Sequence, residues 1–203
     1  MANHVYTIMC ITSTPEVLKA FKDKIVTEQK QSDNTDKDSV LPKWYDECYR
    51  LADNLYKLIY GEEYPEEPDR DWMITNIGAK WCHLHDWQFE EDEIILTFES
   101  AWDTPEELFY MIADYFQDNS KEFEIELTSE DEALLHIAGG YANQFGSDLI
   151  CEYDEDKLPK RPVCENYDDE TEEYYELEEQ FFLDLADAKQ NLVNLCKEDL
   201  IVV

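Results

Sequence analysis

The chain contains one structural pattern twice. Residues 5–12, "VYTIMCIT", form a β-branched and aromatic run that passes directly into "STPE" at 13–16. Residues 94–98, "IILTF", lead through "ESAWDTP" at 99–105 into "EELF". Each run predicts a strand. Each is followed by a hydroxyl or acid able to cap, a proline suited to the first helical turn and an early acid, which predicts a helix start. Val17, Leu18, Phe21 and Ile25 supply the apolar face of the first helix, which should end near Val26; Leu108, Phe109, Ile112 and Phe116 supply that of the second.

Other strands fit around these two modules. His83 to Phe89 alternates, with His83, His85 and Trp87 predicted on one face and Leu84, Asp86 and Gln88 on the other. "EEDE" at 90–93 makes the turn of a hairpin. Phe123, Ile125 and Leu127 alternate with glutamates, a half-buried strand. Residues 72–77 read as a short strand, and 134–141 as a further strand that Gly139 and Gly140 bend or bulge. The order is β-α-β-β-α-β plus one strand. The expected fold is α+β, a ferredoxin-like split β-α-β antiparallel sheet with a helical insertion and a long C-terminal helix.

Residues 28–70 form the insertion. It begins with the polar loop "EQKQSDNTDKDSV" and continues as a helix over about 43–60, carrying Trp44, Cys48, Leu51, Leu55 and Leu58 and ended by Gly61. Pro65 and Pro68 make an extended linker. The ferredoxin-like domain thus spans 1–150, and 151–203 is an acidic linker with an amphipathic helix. Tyr174, Leu177, Phe181, Leu185, Ala188, Leu192 and Leu195 are the expected docking face of that helix, with Thr171 as its cap.

Charge narrows the function. Fifty acidic residues stand against sixteen Lys plus Arg, a net charge of −34. Disordered acidic chains are poor in aromatics, but this one has thirteen Tyr, nine Phe and five Trp, so it should fold. Its field repels phosphate backbones and anionic membranes and attracts basic proteins. The six cysteines are scattered without a C-x-x-C pair, and no signal-like or membrane-spanning run is evident. A reducing cytosol with free thiols is therefore expected.

Four blocks carry a family resemblance: "MANHVYTIMCIT" with "PEVLKAFKDKI", "NIGAKW" at 76–81, "FESAWDTP" at 98–105, and "FEIELTSED" with the later glycine pair. Over about residues 3–27 and 72–146 the chain resembles the YubB-like ferredoxin-like domain family of phage and plasmid proteins. On that resemblance Asn76, Gly78, Lys80, Trp81, Trp102, Pro105, Gly139 and Gly140 are scaffold positions. It implies a mobile-element origin and an accessory role in the host bacterial cytoplasm, and supplies no catalytic set.

Two chemical readings compete. Cys82, His83, His85 and Asp86 are ligand types, and with His136 or His4 they offer a metal site for a metal-dependent enzyme, although no second short ligand pair is present. No nucleophile elbow, P-loop or dinucleotide fingerprint occurs, so no enzyme and no cofactor is the expectation. The acidic stretch Asp154, Glu155, Asp156, Asp168, Asp169, Glu170, Glu172, Glu173 and Glu176, interleaved with tyrosines, instead offers a surface for a basic host protein. The leading expectation is a phage-encoded inhibitor of a nucleic-acid-handling defence enzyme that binds it by imitating nucleic-acid charge. A phage assembly protein that dimerises through its last helix is a further alternative.

Overall fold

The computed structural model describes residues 3–26, 43–162 and 172–201, with side chains 43–49 and 172–173 excepted. The elements are β1 (His4–Ser13), α1 (Pro15–Ile25), α2 (Lys43–Tyr60), a 3-10 turn (Gly61–Glu63), α3 (Arg70–Asn76), β2 (Cys82–Phe89), β3 (Glu93–Ala101), α4 (Glu106–Asn119), β4 (Phe123–Asp131), β5 (Ile137–Asn143), β6 (Gly146–Glu152) and α5 (Glu172–Ile201). The six strands form one sheet in the order β2-β3-β1-β4-β5-β6, antiparallel throughout. The first four reproduce the ferredoxin-like arrangement, and β5 and β6 extend it.

β1 is central because its alternation is strict. Met9 lies between Leu96 and Leu127, and Ile11 between Ile94 and Ile125. These inward residues meet Leu18, Phe21 and Ile25 of α1 and Leu108, Phe109, Ile112 and Phe116 of α4 in one core. Pro15 opens α1 as expected, but Thr14, the cap residue, makes no side-chain capping bond. Its carbonyl accepts from Val17 and Leu18, while the Ser13 hydroxyl donates to the Glu122 carbonyl at 2.7 Å and thereby fixes the entrance to β4.

The helix of the expected insertion is built into this core. Leu51, Leu55, Tyr56 and Tyr60 of α2 are buried in it. Each such side chain removed from water contributes about 2 kcal/mol, so α2 is held firmly against the sheet. Gly61 leaves the helix at φ +57, as a terminating glycine should. The expected loop at 28–40 lies outside the described residues.

Residues 70–76 correct the expected strand at 72–77. They are a helix because the Asp69 carboxylate accepts from the Trp72 N–H at 2.8 Å, capping a turn whose Met73 and Ile77 are buried one helical turn apart. A second correction concerns β2. Leu84 pairs with Phe98 and Asp86 with Thr97, so His85 is an extra residue in a β-bulge. The bulge resets the alternation: Cys82 and Leu84 point inward, and after it Trp87 and Phe89 pack on the core. Trp87 therefore does not share the face of His83.

The fifth strand begins later than expected. Residues 132–136 form a tight turn in which the buried Asp131 carboxylate accepts from Ala133 and Leu135 N–H, and Leu134 sits at φ +54. Nor do the two glycines bend the strand; they clear both of its faces. A Cβ on Gly139 would lie 2.5 Å from Leu192 Cβ of α5, and one on Gly140 would lie 3.2 Å from Phe109 Cζ of α4. β5 is thus clasped between two helices, and Ile137, Tyr141 and Ala142 are buried with it. β6 was not foreseen at all.

α5 crosses the outer side of β4, β5 and β6 and runs to Ile201. Its seam is Phe181, Leu185, Val193 and Cys196. Leu177 and Leu195, expected in the seam, are exposed. Both stand on one side of the helix, roughly a quarter turn away from the buried stripe. Thr171 lies outside the described residues.

Replacing Gly139 by alanine should lower stability by about 1–3 kcal/mol, read as a shift in the urea midpoint. Gly140→Ala, which meets only a ring edge, should cost clearly less. Equal costs would show that α5 does not rest on this glycine.

Candidate functional site

The ligand-rich stretch is taken first. Asn76 ends α3, and its side-chain amide donates to the Trp72 carbonyl at 2.9 Å. Gly78 turns the chain at φ +88, where a Cβ would meet the Glu106 backbone N at 2.9 Å, so only glycine fits beside the start of α4. Lys80 and Trp81 follow, half-buried, and β2 begins.

The pleat then divides the ligand types. Cys82 faces the core, and burial pushes its thiol up to about 12, far from a thiolate at neutral pH. His83 and His85 face outward. His83 stacks on Trp81 at 5.0 Å, and Trp81 meets His4 edge-on at 5.4 Å. Glu99 of β3, paired across from His83, contacts His4 Nδ1 and lies 3.6 Å from His85 Nδ1. The Asp86 carboxylate accepts from the Trp87 N–H at 2.8 Å. The cluster 82–86 therefore does not converge, and among the described residues no group of three or more His, Cys, Asp or Glu is placed to hold a metal ion.

His136 is buried and belongs to a polar chain that gave no sequence signal. The Thr104 hydroxyl donates to Ser129 Oγ at 3.0 Å and lies 3.4 Å from His136 Nε2, and Ser129 pairs with Thr7 Oγ1 at 2.9 Å. Of the two residues expected to cap α4, Asp103 and Thr104, the second serves this chain instead, and Pro105 occupies the cap position without a side-chain bond. The Tyr153 ring covers His136 at 5.2 Å, and its hydroxyl donates to Asp103 at 3.2 Å. Burial lowers the pKa of His136, against the opposing pull of Asp103 and Asp131. Beside this chain Trp102 takes a left-handed φ of +80 and is 57% exposed, a strained aromatic held by its N–H bond to the Asn3 carbonyl.

The acidic stretch is divided in a different way. Asp154 is partly neutralised in its own turn: Lys157 pairs with Glu152 at 2.8 Å and approaches Asp154 at 3.9 Å, while Asp154 accepts from the Asp156 N–H. Glu155 and Asp156 are exposed. Asp168, Asp169 and Glu170 lie outside the described residues, and Glu172 and Glu173 open α5 with side chains not described. Glu176 is exposed on α5, and Glu179, Asp184, Asp187, Glu198 and Asp199 continue the exposed acids along the same helix. The two lysines of α5 turn back to the sheet, Lys189 to Glu130 and Lys197 to Glu126. The outward side of the helix therefore carries carboxylates without lysine or arginine of its own. Among the described residues no helix is long and apolar enough to cross a membrane.

The buried His136 and the half-buried His83 set a pH response. Burial also lowers the pKa of His83. Above the ordinary histidine value of 6.5 both states are neutral and stability is full. As pH falls below it, the unfolded chain takes up protons that the native chain refuses, and stability declines until the lowered values are reached. The urea midpoint should therefore fall between about pH 7.5 and 5.5, above the usual carboxylate range. His136→Asn should lower stability overall and shrink this fall; an unchanged pH dependence would remove His136 from the account.

Compared with known proteins, the chain matches no family model, no curated protein and no solved structure.

Proposed function

We propose that the chain is a phage-encoded acidic interaction protein that inhibits a host nucleic-acid-handling defence enzyme by binding it. A restriction or CRISPR complex in the host cytoplasm is the class of target. The reading rests on one observation: exposed carboxylates from Glu176 to Asp199 are carried on the rigid helix α5, whose lysines both pair inward. A rigid row of carboxylates offers the lysines and arginines of a nucleic-acid groove charge-assisted partners in place of phosphates. Inhibition by occupancy needs no turnover, and the thiols at Cys10, Cys82 and Cys196 are all pushed up to about 12, which suits binding better than nucleophilic chemistry.

A second reading has its own support. Tyr175, Leu177, Phe182, Leu183 and Leu195 are exposed apolar residues on the same helix. Such residues suit self-association, as in a phage assembly protein dimerising through α5. Light scattering on the purified chain distinguishes a monomer from that dimer.

The main reading is tested by capture from a bacterial lysate, elution with rising salt and competition of the captured enzyme against its nucleic acid. Binding should weaken strongly between about 50 and 200 mM salt, since screening acts on this range. Neutralising Glu176, Glu179, Asp184 and Asp187 together to amides should abolish competition while leaving the urea midpoint within about 0.5 kcal/mol. Capture that is indifferent to both salt and these substitutions would refute charge imitation.

A further inference from the structure

A cavity of about 610 Å³ opens at the β2 edge of the sheet, the opposite edge from α5. It is lined by α2, the proline linker after it, α3 and the first residues of β2. That volume lies within the range of small-molecule sites, roughly 300–1,000 Å³.

Its walls are aromatic and fixed. Trp81 and His83 stack on each other, 16° from parallel, and the stack forms one side. Tyr56 and Tyr64 contribute another, 5.9 Å apart. The Tyr56 hydroxyl donates to the Cys82 carbonyl at 3.0 Å, and Tyr64 is braced edge-on by Trp72 at 5.4 Å. A planar ring entering the cavity therefore meets surfaces that need no rearrangement.

The charge of the lining is the second observation. Arg50, Arg70 and Lys80 line this one cavity, three of the sixteen basic side chains in the chain. Elsewhere Lys19, Lys57, Lys157, Lys189 and Lys197 are paired with carboxylates. Among the described residues Arg70 and Lys80 have no ion pair or hydrogen bond. Asp53, also in the lining, is committed to Lys57 at 2.6 Å. Arg70 and Lys80 are thus free to give charge-assisted hydrogen bonds to an anion at this cavity. The more distant carboxylates are screened beyond about 8 Å at physiological ionic strength, and the lining itself sets three cations against the carboxylates of Asp53, Glu66 and Glu67. Glu66 and Glu67 at the same cavity can accept hydrogen bonds from hydroxyl or amino groups.

A planar ring, an oxyanion and donor groups occur together in a nucleoside phosphate. We propose that this cavity binds a nucleoside phosphate, with the base against the Trp81–His83 stack and the Tyr64 ring and the phosphate on Arg70 and Lys80. This site is independent of the surface on α5.

Calorimetric titration of the full chain with adenosine monophosphate tests it. Saturable one-to-one binding is expected, with inorganic phosphate binding far more weakly. Arg70→Gln and Lys80→Gln should each weaken it about tenfold, the loss of one charge-assisted contact. Lys121→Gln, on the exposed surface away from the cavity, should leave it unchanged. Tyr64→Leu should weaken it also, and an unchanged urea midpoint shows that each variant is folded. The proposal is overturned by the absence of saturable binding with both adenosine and uridine monophosphates. It is equally overturned if Arg70→Gln and Lys80→Gln have no effect, if Lys121→Gln matches them, or if inorganic phosphate binds as tightly as the nucleotide.

Discussion

The architecture depends on how closely α5 can approach β5. At Gly139 the helix backbone lies where a side chain would otherwise stand, with Val193 N 2.6 Å from the position of a Cβ. That approach brings Val193 and Cys196 against Tyr141, and Phe181 and Leu185 against Ile137. Lys197 then reaches Glu126 and sits 4.9 Å from the centre of the Tyr141 ring, while Lys189 reaches Glu130. Partly exposed ion pairs of this kind contribute little to stability alone. Their effect here is to direct the only two lysines of the helix inward.

The same contact organises the charge of the molecule. Once α5 is docked by its apolar seam and its lysines, Glu176, Glu179, Asp184, Asp187, Glu198 and Asp199 face outward. At the far edge, α2 and β2 bring basic and aromatic side chains together around a cavity. A chain with one overall sign of charge therefore presents two unlike surfaces, because the sheet keeps its two edges apart.

Several features were legible because their causes are local. The two strand and proline-helix modules, α2 with its terminal Gly61, the hairpin turn at 90–93 and the alternation of β4 follow from spacing and turn chemistry, and each appears where the pattern placed it. α3 was misread because "WMIT" suits either state, and the Asp69 cap decides for helix. The cavity had no sequence signal, since Arg50, Tyr64, Arg70 and Lys80 come from four separate segments. The buried chain of Thr7, Thr104, Ser129 and His136 was unreadable for the same reason.

The sequence by itself determined the α+β class, the order of the ferredoxin-like elements and the excess of negative charge, because propensity, periodicity and composition act within short windows. Tertiary structure alone decided the bulge at His85 that turns Trp87 inward, and the use of Gly139 and Gly140 as clearances for two helices. It also decided the separation of Cys82 from His83 and His85. These depend on what lies across the sheet, and the pleat and the packing distance set that partner, not the neighbours along the chain.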